Sequence, residues 1–192
     1  MKDVLFYKIL RPIIKCFTLI FFHPKIIGKE NIKKNGRLVL AGNHTSIFDP
    51  LLLISCTKRE IHFLAKSSLW NGFKKIIFSN LGLIPVKRDG KDSKALDSAI
   101  ECLEHNLVVG IFPEGTTEKE SNKLLPFKKG AVRMARSTNS LIIPFYISGK
   151  YSLFSNNLTI IFDKPYYIKT DDLDSENDIL KNKIENLKRG NN

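Results

Sequence analysis

The chain has 192 residues, 43% of them hydrophobic, which suffices for one substantial core and is too few for two domains of ordinary size. Its 31 Lys and Arg against 19 Asp and Glu give a formal net charge of +12. That field attracts anions, which narrows the partners to nucleic acid, anionic lipid headgroups, or phosphate-bearing small molecules and acidic carrier proteins. Three widely spaced cysteines, Cys16, Cys56 and Cys102, exclude a disulfide framework and a CxxC-type metal cluster. Each falls in an apolar stretch and reads as a small buried hydrophobe.

From Val4 to Phe22 the chain is largely apolar, with Lys8, Arg11 and Lys15 at spacings of three and four that put them on one helical face. Crossing a bilayer would cost about 2.5–3.5 kcal/mol for each charge near its centre. Lying in the interface avoids that cost and sets Phe6, Ile9, Leu10, Ile13, Phe17 and Ile20 among acyl chains. The alternative is a helix that packs on the core and never meets lipid. After Pro24, strands are predicted at Arg37–Gly42, Ile61–Ala65, Leu81–Val86, Leu107–Phe112, Leu141–Ile147, Leu158–Phe162 and Tyr166–Lys169. Helices are predicted at Pro50–Cys56, Ser67–Ser79, Ser93–Asn106 and Lys129–Thr138, with an exposed charged helix over Ser175–Arg189. The alternation implies an α/β single domain with a mixed, mainly parallel sheet flanked by helices. The expected organisation is an N-terminal amphipathic membrane-surface segment over residues 1–24, a main domain over 25–170, and a charged helix and tail over 171–192.

Active sites in such sheets gather in the loops that leave the carboxyl ends of strands. The first of these loops carries His44 and, five residues on, Asp49-Pro50. Asp49 could simply cap a helix that starts with Pro50. It could also fold back on the imidazole, fix its tautomer and leave the other ring nitrogen as a base at neutral pH. A later loop reads Phe112-Pro113-Glu114-Gly115-Thr116-Thr117, a tight turn that brings a carboxylate and backbone N–H groups to the same sheet edge. Between them, the strand ending in Lys87 and Arg88 offers adjacent cations suited to a phosphate clamp. Lys128 and Lys129 stand at a helix start, where they oppose the macrodipole; an anion cradled there would reconcile them with it.

In order, Asn43-His44-Thr45-Ser46-Ile47-Phe48-Asp49, then Gly82 to Arg88, then Phe112-Pro113-Glu114-Gly115-Thr116, then Ile142-Ile143-Pro144 resemble the four motif blocks of the glycerolipid acyltransferase family. The likeness covers about residues 25 to 165. It implies that His44 is a general base and Asp49 its orienting partner. It also implies that Arg88 and Glu114 hold a glycerol-phosphate moiety, with Gly115 shaping the pocket and Lys66 helping to bind phosphate; Asn43, Lys87, Thr116, Lys128 and Lys129 join the substrate-binding set. Relatives often carry Arg after FPEGT where this chain has Thr117, so part of the anion-binding set is either missing or supplied by Lys119, Lys128 or Lys129.

The implied reaction moves a fatty acyl group from acyl-CoA or acyl carrier protein to the sn-2 hydroxyl of lysophosphatidic acid. It needs no cofactor and no metal, because the thioester is already activated. Glycerol-3-phosphate or another lysolipid is the alternative acceptor. The implied setting is an anionic membrane surface on the cytoplasmic face, with peripheral or monotopic attachment. A non-catalytic lipid- or nucleic-acid-binding protein is the alternative from another class, but the sequence lacks the aromatic-basic interleaving that nucleic-acid recognition uses.

Overall fold

The computed structural model describes residues 5–67, 82–86, 93–117 and 124–190. Its elements in chain order are α1 (Leu5–Phe22), β1 (Lys25–Ile27), β2 (Leu38–Gly42), α2 (Asp49–Cys56), β3 (Ile61–Lys66), β4 (Ile84–Val86), α3 (Ser93–Glu104), β5 (Val108–Ile111), α4 (Gly130–Thr138), β6 (Leu141–Ser148), β7 (Thr159–Phe162) and α5 (Leu173–Arg189). The strands form one seven-stranded sheet in the order β1-β7-β6-β2-β5-β3-β4. Its centre is parallel, β6 and β7 pair antiparallel, and β1 runs parallel to β7 at the edge. This is the mixed, mainly parallel α/β sheet that the alternation implies.

Both faces of the sheet are covered, which is why the central strands read as continuous apolar runs. Leu38, Leu40, Phe63, Ile143 and Phe145 point to the side where α1 and α2 contribute Tyr7, Ile14, Phe22, Leu52 and Leu53. Val39, Ala41, Val109 and Ile142 point to the opposite side, against Ala99 and Leu103 of α3, Met134 of α4, and Leu180 and Ile184 of α5. Asn106 and Asn139 stop α3 and α4 in the left-handed conformation, at φ 59° and 47°; a short polar side chain tolerates that backbone.

The structure departs from expectation in five places. The tail helix is not merely an exposed charged element: it starts at Leu173, Asp172 caps it by accepting from Asp174 N and Ser175 N, and Leu180 and Ile184 are fully buried. Tyr166 makes only an isolated bridge to Ile142, and the short edge strand β1 was not foreseen. Cys56 and Cys102 are buried, but Cys16 is exposed on α1. On α1 the cations do not form a free stripe, because the Arg11 Nε donates to the Thr57 carbonyl at 2.7 Å and Lys15 is half-buried. What faces outward is mainly Phe6, Ile9, Ile13, Phe17 and Ile20. Among the described residues no helix is long and apolar enough to cross a membrane. The helix predicted over 67–79, all but its first residue, and Lys87, Arg88 and Lys119 lie outside the described residues.

Candidate active site

The site forms where strand register brings loops side by side. Ala41 of β2 pairs with Ile111 of β5, and three residues beyond each partner lie His44 and Glu114. The two loops are joined there: the His44 N–H donates to Glu114 Oε1 at 3.1 Å, and the Leu125 N–H donates to Oε2 at 3.0 Å. On the other flank, Gly42 pairs with Phe145 of β6. The Asn43 amide then closes a two-way clamp on Ile147, its Nδ2 donating to the carbonyl at 2.8 Å and its Oδ1 accepting from the N–H at 2.7 Å.

Within this frame the His44 Nδ1 lies 2.8 Å from Asp49 Oδ2. A carboxylate there accepts the Nδ1 proton and holds the tautomer in which Nε2, on the other side of the ring, carries a lone pair. Asp49 is fully buried. It heads α2 rather than capping it, with Phe48 in the cap position and no side-chain cap bond there; its carboxylate turns back into the loop. Oδ2 also accepts from the N–H groups of Thr45 at 2.7 Å and Ser46 at 2.8 Å, and Oδ1 accepts from the Thr45 hydroxyl at 3.2 Å and the Tyr151 hydroxyl at 2.6 Å. A buried carboxylate is expensive unless its lone pairs are filled, and here five donors fill them.

Tyr151 lies between β6 and β7 and was not foreseen from the sequence. Burial, and then the Asp49 charge, push its pKa far up, so the phenol stays protonated and acts as a donor. Its ring meets Phe22 edge-on at 5.3 Å and Phe48 at 5.6 Å.

The imidazole is positioned from its face as well. It stacks on Phe112 at 4.1 Å with 17° between the planes, and Phe112 in turn stacks on Phe63 at 6.2 Å. Gly110 makes room for that column, since a Cβ there would sit 2.3 Å from the Phe63 ring. The side chain of His44 remains 19% exposed, so the ring is held without being sealed.

The remaining expected residues sort by position. Gly115 turns the chain at φ 70°, and a Cβ on it would meet the Lys128 Nζ at 3.0 Å, so that lysine runs beside the turn. Lys66 at the end of β3, Thr116 and Lys128 are exposed, as anion-binding groups at a sheet edge would be. Asn43, expected to touch substrate, is only 5% exposed and has both amide ends engaged by Ile147. Glu114 is 6% exposed and braces two loops. Lys129, expected in an anion cradle, pairs instead with Asp174 of α5 at 2.6 Å.

Known proteins resemble this chain in both sequence and fold. A family model described as Acyltransferase matches residues 23–148. The chain is 33% identical over 136 residues to the 1-acyl-sn-glycerol-3-phosphate acyltransferase of Borreliella burgdorferi, covering 69% of this chain and 54% of that protein. To the protein of that name from Bacillus subtilis it is 27% identical over 149 residues, covering 74% and 73%. The chain thus spans about half of the Borreliella relative's length. The crystal structure of the 1-acyl-sn-glycerophosphate (LPA) acyltransferase from Thermotoga maritima aligns with a TM-score of 0.72 over 98% of this chain and 84% of that one, at 22% identity, which demonstrates a shared fold. Because the family model spans both loops that hold His44, Asp49 and Glu114, the sequence match and the assembled site coincide, and the chain belongs to the acyltransferase family.

Proposed function

We propose that the chain transfers a fatty acyl group from acyl-CoA or acyl carrier protein to the sn-2 hydroxyl of lysophosphatidic acid, giving phosphatidic acid at a membrane surface. The observation that carries this reading is the 2.8 Å contact between His44 and a five-donor, fully buried Asp49. The names of the Borreliella and Bacillus relatives support the choice of acceptor.

In this mechanism Nε2 of His44 takes the acceptor hydroxyl's proton as its oxygen attacks the thioester carbonyl. The tetrahedral adduct expels the thiolate by breaking the C–S bond, and the proton passes from the imidazolium to the departing sulfur. Asp49 stabilises the imidazolium in between. Lys66, Lys87, Arg88, Lys128 and Thr116 are the residues proposed to bind the acceptor's phosphate. The positive field of the chain also favours acidic donors and anionic lipid.

The test supplies labelled acyl-CoA or acyl carrier protein and a panel of lysophosphatidic acid, other lysolipids and glycerol-3-phosphate. Lysophosphatidic acid is expected to be acylated fastest. His44→Ala is expected to lose the base-catalysis factor, about 10²–10⁴-fold in kcat, with an unchanged circular dichroism spectrum. Full turnover by His44→Ala would refute the mechanism, and preference for another acceptor would replace the substrate assignment.

A further inference from the structure

Among the described residues, most of the exposed large apolar side chains gather in three segments. On the outer side of α1 stand Ile9, Ile13 and Ile20, 58%, 59% and 51% exposed. Two other segments join the end of that helix. In the loop before α2, Ile47 is 79% exposed, and its neighbour Phe48 touches Phe22 at 5.6 Å. In the loop between β6 and β7, Leu153 and Phe154 are 62% and 68% exposed. The Phe154 ring meets Phe21 at 5.6 Å, and its N–H donates to the Phe21 carbonyl at 2.6 Å. Three segments far apart in sequence therefore present apolar tips on one side of the molecule, around the loop that carries His44.

Phe154 sharpens the point. Its backbone has φ 57°, a left-handed conformation that is unusual and costly for a bulky aromatic residue. The ring gains little burial within the chain in return. An apolar residue held in a strained conformation and left exposed is the feature of a surface that another phase covers.

We infer that Leu153 and Phe154 are a second lipid-inserting element, which docks on an anionic bilayer together with the outer face of α1 and Ile47. A bilayer is favoured over a second copy of the chain by charge. Lys8 and Lys150 are exposed within these segments, and a self-pairing face would bring together two chains of net charge +12, whereas an acidic lipid surface complements them. The contact plane then passes over the loop of His44, so an acyl acceptor could reach the base without leaving the interface. The choice of occupant rests on the lipid-directed reading above; the placement of the surface does not.

The test measures co-sedimentation of the full chain with vesicles of phosphatidylcholine and phosphatidylglycerol, for Leu153→Ser and Phe154→Asn separately and combined. Asn is chosen because it tolerates a left-handed backbone. Ile179→Ser is the control, being 40% exposed on α5 across the sheet. Each loop variant is expected to bind about tenfold more weakly, the scale for withdrawing one such side chain from hydrocarbon, while the control binds as wild type. Turnover of a short-chain lysolipid presented as monomers should be unchanged in the loop variants. Wild-type vesicle binding by the double variant overturns the inference. So does equal weakening by Ile179→Ser, or a dimer in sedimentation that Leu153→Ser dissociates without changing vesicle binding. A chain that binds vesicles through this loop yet acylates no acceptor keeps the inference and refutes the proposed reaction.

Discussion

Replacing Tyr151 by Phe isolates one hydroxyl, because the ring that packs on Phe22 and Phe48 stays while the 2.6 Å bond to Asp49 Oδ1 is lost. A hydrogen bond to a charged group is worth about 1.5–3 kcal/mol. Four of the five donors to Asp49 remain, so the loss should fall at the lower end of that range. At about 1.4 kcal/mol per decade, kcat is expected to drop about tenfold, with KM for the acceptor little changed. A purely structural tyrosine would lower the melting temperature while leaving kcat as it is. Steady-state kinetics on lysophosphatidic acid, with circular dichroism melts alongside, separates the two. A wild-type kcat would refute the idea that Tyr151 positions the pair.

Asp49→Asn retains an oxygen that can face the Thr45 and Ser46 N–H groups, and its amide can donate to the hydroxyls of Thr45 and Tyr151. It should therefore fold, at a cost of about 1 kcal/mol in urea unfolding, while losing at least about a hundredfold in kcat because the imidazolium has no counter-charge; near-wild-type turnover would leave Asp49 with a structural role only. His62 is buried, with Nδ1 2.9 Å from the Gly82 carbonyl and Nε2 3.2 Å from Glu60 Oε1, close enough for charge attraction though not aligned as a hydrogen bond. Burial works against its charge, but Cys102 and Glu60 outweigh it and push the pKa up from 6.5 to about 9. A raised folded pKa adds stability that is fully present below 6.5 and lost as pH rises through about 9. The urea midpoint should fall across that window in the wild type and fall less in His62→Gln; equal slopes would remove the assignment.

The fold was largely legible because its determinants are local. Leu38 to Gly42 and Leu141 to Ser148 are apolar on both faces, and that pattern marks central strands wherever they occur. The tail helix was misjudged by counting charges: Leu180, Ile184 and Leu187 recur at helical spacing and pack on the core, a narrow stripe that the surrounding Lys, Glu and Asn conceal. The three-residue β1 carries no signal of its own, since Lys25 and Ile27 are exposed and only Ile26 turns inward. Lys129 opposes the helix dipole in sequence, and the compensating charge turns out to be Asp174, a residue from another helix.

The site was legible only in the part that is local. His44 and Asp49 are five residues apart, so one turn can bring them together, an arrangement the sequence offered beside the reading of Asp49 as a helix cap. Tyr151 is 102 positions from Asp49, and no motif links them. What links them is strand order: β6 runs parallel beside β2, so the chain leaving β6 emerges next to the chain leaving β2, and a polar side chain soon after Ser148 falls within reach of the pair. Asn43 and Ile147 tie the same two strand ends together, and Glu114 ties the β2 end to the end of β5. The loop of His44 is thus fastened on both flanks by side chains that hydrogen-bond main chain. If His44 is the base proposed above, fixing it in this way leaves little reorganisation for the reaction to supply. Residues whose role is to hold that loop can therefore govern kcat while standing outside any substrate contact, and they become recognisable once neighbouring strands are known rather than from spacing along the chain.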